Sequence, residues 1–313
     1  MHIVFLDADT IGKDVTFNSI ESLGNLKIYS ATLAHETAER IKTADIVITN
    51  KVPIGKAEMD SAPSLKLICV AATGTNNINL EYAEEKGIAV KNAAGYSTES
   101  VVQTTFANIL SLLNSTAYFD QYVKSGAYST SMIFTHYGQT FWELAGKRFG
   151  IIGMGNIGKR VAEVATAFGA EVVYYSTSGK NVNIFLPYPL LGLDELLRTC
   201  DIVSIHAPLN EQTKNLITLK KLKLMKQEAI IANMGRGGII NEKDLAKAID
   251  ENLLGGAAID VFEQEPIPAN HPFLSVKNKA KFQFTPHLAW GSIEARKRLI
   301  ALTAKNIEDF LSQ

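Results

Sequence analysis

The sequence has 313 residues, which suits two domains because a single hydrophobic core rarely extends beyond roughly 250–300 residues. Its 31 basic and 32 acidic side chains give a formal net charge of -1, which excludes a basic surface for nucleic acid, and no apolar run reaches the roughly 18 residues that a membrane span needs. Cys69 and Cys200 both lie within apolar runs, which indicates buried thiols in a reducing compartment rather than a disulfide or a metal site, and predicts a cytoplasmic protein that binds no metal.

Short apolar runs alternate with segments of helical periodicity over the first 97 residues. Helices are predicted at residues 15–23 and 34–41, and Asn79 is the expected N-cap of a third helix that ends at residue 86. Strands are predicted at residues 2–6, 26–29, 46–48, 65–70 and 88–90. Strands that alternate with helices in this way indicate a parallel sheet covered on both faces.

The pattern changes at Ser97 and then repeats. A long apolar helix is predicted to residue 113, a second one to residue 124, and a loop from 126 to 147. Further helices are predicted at residues 159–168 and from the N-cap Asn241 to 253, and strands at 148–152, 171–175, 202–205, 229–233 and 257–260. The chain is therefore predicted to be an α/β protein with two doubly wound parallel-sheet domains.

A glycine-rich loop, Gly-Met-Gly-Asn-Ile-Gly, follows the strand at 148–152 and precedes a helix. Gly153 allows the tight turn, Gly155 lets the backbone approach a pyrophosphate, and Gly158 lets the helix pack closely on the strand. The N-terminus of the helix faces the phosphates. Strand, loop and amphipathic helix together predict a nicotinamide dinucleotide site.

The next strand ends without the carboxylate that usually binds the ribose of NAD about 20 residues past the loop. The segment from Tyr174 to Lys180 instead offers Ser176, Thr177 and Lys180. These side chains suit the 2′-phosphate of NADP, and the hydroxyls also suit the plain ribose of NAD. The choice between NAD and NADP stays open at this point.

Three polar residues follow the last predicted strands of the second domain, where ligands bind in such sheets. Arg236 offers a fork of donors to a carboxylate and a neighbouring keto oxygen. His287 is suited to donate a proton to a carbonyl oxygen, and Glu265 to hold the other ring nitrogen and favour the charged imidazole. Each of these residues, taken alone, more often has only a structural role. The occurrence of all three after a dinucleotide-binding loop, however, predicts an enzyme that reduces the carbonyl group of an acid.

The chain resembles the D-isomer-specific 2-hydroxyacid dehydrogenases over essentially its whole length. The matching segments are Gly153–Gly158, 206–209, 233–237, 260–266, Pro286-His287 and Gly291-Ser292. The resemblance implies that Arg236 binds substrate, that His287 is the acid/base and that Glu265 is its partner. It also implies that Asp260 bonds the nicotinamide amide and that further residues line the cofactor: Thr105, Asn156, Ile157, His206, Ala207, Pro208, Asn233 and Met234.

In the first domain the loop 71–77 is similar to the substrate loop of the family, with Thr73 and Gly74 as the residues whose N–H groups bind the carboxylate. Lys51 is a candidate for the far end of the substrate, or else a solvated loop lysine. Within the family, three segments look most like those of glycerate dehydrogenases, also called hydroxypyruvate reductases: Thr-Asn-Lys at 49–51, the stretch 72–77 and the stretch 95–101. Gln103 and Thr104 stand where family members often have Glu-His, which we interpret as structural variation.

The resemblance further implies the domain order and the reaction. A Rossmann cofactor domain at 98–286 would be inserted into a flavodoxin-like substrate domain at 1–97 and 287–313. The resemblance also implies a homodimer built around the long helix and loop after residue 100, which fits the apolar stretch at 101–113. The expected reaction is reversible reduction of a small 2-oxo acid, hydroxypyruvate or glyoxylate first. The alternatives are a D-lactate or branched-chain 2-oxo acid dehydrogenase, and a dinucleotide-sensing corepressor that binds protein.

Overall fold

The structure is a computed structural model that describes residues 1–179 and 187–313. It divides into two compact units. Unit 1 comprises Met1–Ser97 and Trp290–Gln313, and unit 2 comprises Thr98–Ala289. No helix in the described ranges is long and apolar enough to cross a membrane.

The strands are β1 (His2–Phe5), β2 (Asn25–Ile28), β3 (Ile46–Thr49), β4 (Leu67–Val70), β5 (Ala89–Asn92), β6 (Arg148–Ile152), β7 (Glu171–Tyr175), β8 (Ile202–Ile205), β9 (Ile230–Asn233), β10 (Gly256–Ile259) and β11 (Phe282–Phe284). The α-helices are α1 (Asn18–Glu21), α2 (Thr37–Ile41), α3 (Lys56–Asp60), α4 (Leu80–Glu85), α5 (Thr98–Leu113), α6 (Thr116–Lys124), α7 (Asn156–Ala167), α8 (Leu193–Thr199), α9 (Leu219–Leu222), α10 (Glu242–Asp250) and α11 (Ile293–Leu311). Short 3-10 helices occupy Ala8–Ile11, Ala34–Glu36, Ala127–Thr130, Pro272–Ser275 and Lys279–Lys281.

Unit 1 is built on a parallel sheet in the order β2-β1-β3-β4-β5, which is the flavodoxin-like order. Its central strands β3 and β4 are buried at every position, as expected of parallel strands covered on both faces. Helix α11 covers one face through residues three or four positions apart, namely Ala295, Leu299, Ile300, Thr303, Ala304 and Ile307. The predicted parallel-sheet architecture of this unit is confirmed.

The described strands of unit 2 form a parallel sheet in the order β7-β6-β8-β9-β10-β11. The strand order reverses at β6, and ligands of such sheets bind next to this point of reversal, outside the carboxyl ends of the strands. Outside β7, a single parallel bridge joins Tyr174 to Leu190, in the place where the Rossmann order 3-2-1-4-5-6 has a third strand. Unit 2 is thus a Rossmann-type sheet in which the described residues form a single bridge at this outer position.

The structure adds two details to the expected organisation. The apolar face of the helix at 101–113 is buried inside unit 2, because α5 packs on β9, β10, β11 and α7. Residues 287–289 were assigned to the first domain but pack with unit 2, because the Asp260 carboxylate accepts the N–H groups of Leu288 and Ala289.

Several short elements have no counterpart in the sequence pattern. Helices α3, α8 and α9 and strand β11 are each seven residues long or shorter, and they carry too few periods to be recognised. The helix expected at residues 15–23 is reduced to the four residues of α1. The caps were more predictable: the side chains of Asn79 and Asn241 accept the backbone N–H groups of Tyr82 and Asp244.

Candidate active site

The glycine loop connects β6 directly to α7. Gly153 has φ 97°, which a side chain would strain, and a Cβ on Gly158 would lie 2.1 Å from the Gly153 carbonyl oxygen. Gly155 precedes the helix, and a Cβ there would meet no atom within 4 Å. The first and third glycines are therefore required by the fold, whereas the middle one faces open space in front of the helix N-terminus.

The two roles can be separated by mutation. We expect Gly158→Ala to lower the melting temperature, because overpacking against backbone typically costs about 1–3 kcal/mol. We expect Gly155→Ala to keep the melting temperature of the cofactor-free protein and to weaken NADH binding about tenfold or more, since a displaced pyrophosphate loses charge-assisted hydrogen bonds of roughly 1.5–3 kcal/mol. Calorimetry and fluorescence titration measure both quantities. Wild-type NADH affinity in Gly155→Ala would contradict the pyrophosphate site.

Two buried polar atoms beside this loop lack a hydrogen-bond partner among the described residues: Ser176 Oγ and His206 Nδ1. Ser176 follows β7 and His206 follows β8, so they stand on either side of β6. His206 Nε2 lies 2.8 Å from Ser204 Oγ, and burial lowers the pKa of His206 to about 3, so the ring is neutral at pH 7. Orphaned buried polar groups are rare and fit a site that a polar ligand completes.

The other residues predicted to line the cofactor differ in their hydrogen bonds and in their positions in unit 2. Thr105 is fully buried, and its hydroxyl donates to the Val101 carbonyl within α5. Asn233 donates to the Arg236 carbonyl and accepts from the Gly235 N–H, so its side chain shapes the loop after β9. The remaining predicted residues lie at strand or helix ends around the glycine loop: Asn156, Ile157, Thr177, Ala207, Pro208 and Met234. Lys180 lies outside the described residues.

The acid/base candidates His287 and Glu265 are in direct contact. His287 Nδ1 lies 2.6 Å from Glu265 Oε2, and the side chains are 20% and 32% exposed. The second Glu265 oxygen accepts the Phe262 N–H over 2.9 Å, which fixes the carboxylate. An ionised carboxylate only accepts, so Nδ1 carries a proton, and Nε2 is the ring nitrogen that does not face Glu265.

The backbone around His287 is held by Asp260. His287 has φ 51°, a left-handed conformation that costs a non-glycine residue roughly 1–2 kcal/mol, and its N–H donates to the Asp260 carbonyl over 2.7 Å. The Asp260 carboxylate accepts the Thr285 hydroxyl and the N–H groups of Leu288 and Ala289. Burial raises the pKa of Asp260. This anchoring role was not expected from the sequence, which assigned Asp260 to the nicotinamide.

Arg236 follows β9, the neighbour of the strand that precedes Glu265. Its guanidinium donates to the Gly235 carbonyl over 2.8 Å, and no carboxylate in the described ranges lies within ion-pair distance of it. A Cβ on Gly237 would lie 1.9 Å from the Phe262 carbonyl oxygen, so the loops of Arg236 and Glu265 touch. Three neighbouring parallel strands, β9, β10 and β11, are thus followed by Arg236, Glu265 and His287, respectively. The three residues lie on the side of the sheet where the carboxyl ends of the strands meet.

Comparison with known proteins agrees with this geometry. A family model described as D-isomer specific 2-hydroxyacid dehydrogenase, NAD binding domain, matches residues 106–289. A hydroxypyruvate reductase of Blautia hydrogenotrophica is 34% identical over 315 residues, which cover 99% of this chain and 97% of that protein. The chain belongs to the D-isomer-specific 2-hydroxyacid dehydrogenase family.

Two solved structures of similar fold contain different nicotinamide cofactors. D-lactate dehydrogenase of Aquifex aeolicus, complexed with NAD and lactic acid, has a TM-score of 0.83 and 27% identity, and the match covers 99% of this chain and 95% of that one. An acyclic imino acid reductase in complex with NADPH and D-Arg has a TM-score of 0.86 and 27% identity, with 100% and 98% covered. The predicted cofactor, NAD or NADP, and the predicted oxidoreductase class on 2-hydroxy acids are confirmed.

In unit 1 of this dehydrogenase, a buried carboxylate that the sequence analysis missed shapes the loop after β3. Asp7 accepts the backbone N–H groups of Asn50, Lys51 and Val52, with Lys51 nearest at 2.7 Å. Burial raises the pKa of Asp7, while these N–H groups act in the opposite direction. The sequence did contain an indication of this role, because Asp7 is a charged residue that directly follows an apolar strand. The Lys51 backbone is therefore fixed at the end of the sheet.

The predicted substrate loop follows β4 in the same unit. The Thr73 hydroxyl donates to the Ala93 carbonyl, and the Asn92 side chain donates to the Thr73 carbonyl. Within the described part of the chain, the backbone N–H groups of Thr73 and Gly74 have no acceptor. These two donors are free to bind a carboxylate.

Proposed function

We propose that this dehydrogenase reversibly reduces a small 2-oxo acid, hydroxypyruvate or glyoxylate, to the 2-hydroxy acid, with His287 as the acid/base. The 2.6 Å contact between His287 and Glu265 carries the proposal, because it leaves Nε2 free for the substrate oxygen. The similarity to a hydroxypyruvate reductase over nearly the full length supports the substrate class.

Each residue has a definite part in this reaction. NAD(P)H, when bound, would supply the hydride for the carbonyl carbon. The carbonyl π electrons move to oxygen, and His287 Nε2 gives its proton to that oxygen. The Glu265 carboxylate orients the imidazole and stabilises its charged form before the transfer. Oxidation of the hydroxy acid runs through the same steps in reverse.

In unit 2, substrate binding is assigned to Arg236. In unit 1, Thr73 and Gly74 are separate candidates for substrate binding, because their N–H groups have no acceptor among the described residues. Arg236 has no competing carboxylate among the described residues, so its planar fork is available to the substrate. Lys51 is proposed near the far end of the substrate, on a backbone fixed by Asp7.

A substrate screen tests the function. Oxidation of NADH and NADPH is followed by absorbance with hydroxypyruvate, glyoxylate, pyruvate and 2-oxoisocaproate. We expect the highest kcat/KM with hydroxypyruvate or glyoxylate. Preference for pyruvate or 2-oxoisocaproate would favour a D-lactate or branched-chain dehydrogenase, and absence of turnover with retained cofactor binding would favour a corepressor.

Ser176 is proposed to contribute to the choice of cofactor, because its hydroxyl directly follows β7 and has no hydrogen-bond partner among the described residues. We expect Ser176→Asp to raise the ratio of kcat/KM for NADH over NADPH about tenfold or more, since a carboxylate binds the ribose diol and repels a 2′-phosphate. Ser176→Ala is the matched control, which removes the hydroxyl without adding charge. An unchanged ratio in Ser176→Asp would place the ribose elsewhere.

A homodimer is proposed through an exposed apolar segment, residues 118–141, which we term the arm. Met132, Phe134 and Tyr137 are 99%, 91% and 79% exposed, which is unusual for clustered large apolar side chains. We expect the wild type to elute at twice 34.2 kDa by light scattering. Phe134→Ser should shift it toward the monomer, whereas Leu33→Ser, at an isolated exposed leucine, should not. A monomeric wild type would refute the dimer.

A reducing cytoplasmic location is proposed from the thiols. Cys69 and Cys200 are free and buried, and burial raises the pKa of each to about 12. Neither thiol is suited to disulfide exchange. Subcellular fractionation with an antibody against the chain tests the location, and recovery outside the cytoplasmic fraction would contradict it.

A further inference from the structure

A second pair of histidine and carboxylate lies in the interior of unit 2. The side chains of His271 and Glu242 are 3% and 11% exposed, and His271 Nε2 lies 2.8 Å from Glu242 Oε2. The Phe273 N–H donates to His271 Nδ1 over 3.3 Å, so the ring proton is on Nε2 and is donated to Glu242. Buried pairs of this kind add little stability compared with apolar residues, which directs attention to what the pair holds.

The other Glu242 oxygen accepts the Glu263 N–H over 2.8 Å. Glu263 lies in the turn from Phe262 to Glu265, whose closing bond joins the Phe262 N–H to Glu265 Oε1. Glu265 Oε2 in turn holds His287. Glu242 therefore fixes the turn that presents the catalytic carboxylate.

The same turn is packed from two sides. The His271 ring meets the Phe262 ring edge-on, with centroids 5.8 Å apart and planes at 90°. The Phe262 carbonyl lies against Gly237, next to Arg236, so closely that a Cβ on Gly237 would be 1.9 Å away. A displacement of the Phe262–Glu263 peptide would thus affect the loops of both Glu265 and Arg236.

We infer that Glu242 and His271 are positioning residues for the reduction. They hold the Glu263 amide so that the Glu265 carboxylate meets His287 Nδ1, and they touch neither substrate nor cofactor. The inference rests on the roles proposed for Glu265 and His287. A misplacement of about 1 Å in a catalytic group is enough to cost roughly 100-fold in rate.

The variants His271→Phe and His271→Gln separate positioning from packing. His271→Phe keeps the ring contacts but removes the donor to Glu242, and we expect kcat to fall roughly 10- to 100-fold with NADH affinity unchanged. His271→Gln keeps an N–H donor and is expected to restore kcat to within about threefold of the wild type. Lys226→Met is the matched control, because it breaks an ion pair with Asp201 that lies far from the proposed site. Asp201 and Lys226 precede β8 and β9, whereas the proposed catalytic residues follow the carboxyl ends of the strands. It is expected to keep the wild-type kcat.

A double-mutant cycle with Glu265→Ala completes the test. If His271 acts through Glu265, His271→Phe lowers kcat in the wild type but not in the Glu265→Ala background. An equal further loss in that background, or a wild-type kcat in His271→Phe, overturns the inference. An unchanged kcat in Glu265→Ala alone would instead reject the proposed function of the Glu265–His287 pair.

Should His271→Phe not fold, Glu242→Asp takes its place in the cycle. It keeps the charge but retracts the carboxylate by about 1.5 Å, so that both donors are no longer reached. The same loss of kcat, again absent in the Glu265→Ala background, is expected.

Discussion

Replacement of His287 by alanine is expected to lower kcat for 2-oxo acid reduction by roughly 10²–10⁴-fold, the usual contribution of a general acid. The substrate oxygen then loses the proton donor at Nε2, whereas the hydride donor is unaffected. The backbone at residues 287–289 is held by Asp260 through main-chain N–H groups, which the substitution leaves in place. Cofactor affinity and melting temperature are therefore expected to stay near the wild-type values.

Steady-state kinetics and NADH titration measure these quantities together. His35→Ala is the control, because His35 is an exposed histidine of unit 1. A wild-type kcat in His287→Ala would remove His287 from the acid/base role. A parallel loss of NADH affinity would mean that His287 serves the cofactor site rather than proton transfer.

Features with a strong local pattern could be predicted from the sequence. The strand, glycine loop and helix around Gly153–Gly158 lie within 20 residues, and each part restricts the next, so the element order β6, loop, α7 followed from spacing alone. The helix caps Asn79 and Asn241 were equally local. Arg236, Glu265 and His287 could be grouped because carboxyl ends of parallel strands meet at one edge.

Contacts between distant single residues could not be predicted. Glu242 and His271 are 29 residues apart, and neither stands in a recognisable motif. Asp260 was noticed, but only the structure shows that it anchors residues 285–289 and so draws His287 into unit 2. What covers the helix at 101–113 could not be predicted for the same reason, because an apolar helix has the same sequence pattern whether a sheet or a partner chain covers it.

The second large effect is expected for Arg236→Lys, which keeps the charge but loses the planar fork. One of two parallel hydrogen bonds to the substrate carboxylate and keto oxygen is lost, and a charge-assisted bond is worth roughly 1.5–3 kcal/mol. We therefore expect kcat/KM for the 2-oxo acid to fall about 10- to 150-fold. The loop itself should persist, because Asn233 bonds the Arg236 carbonyl rather than its side chain.

The distribution of this loss between KM and kcat identifies what Arg236 binds. A ground-state contact with the carboxylate alone raises KM with kcat unchanged, whereas a bond to the keto oxygen strengthens as charge develops there and lowers kcat as well. We expect KM for the 2-oxo acid to rise and kcat to fall, while the affinity for NADH is retained. Arg198→Lys, an exposed arginine of α8, is the matched control and should keep wild-type kinetics. Wild-type KM and kcat in Arg236→Lys would show that the guanidinium, although unpaired among the described residues, does not contact the substrate.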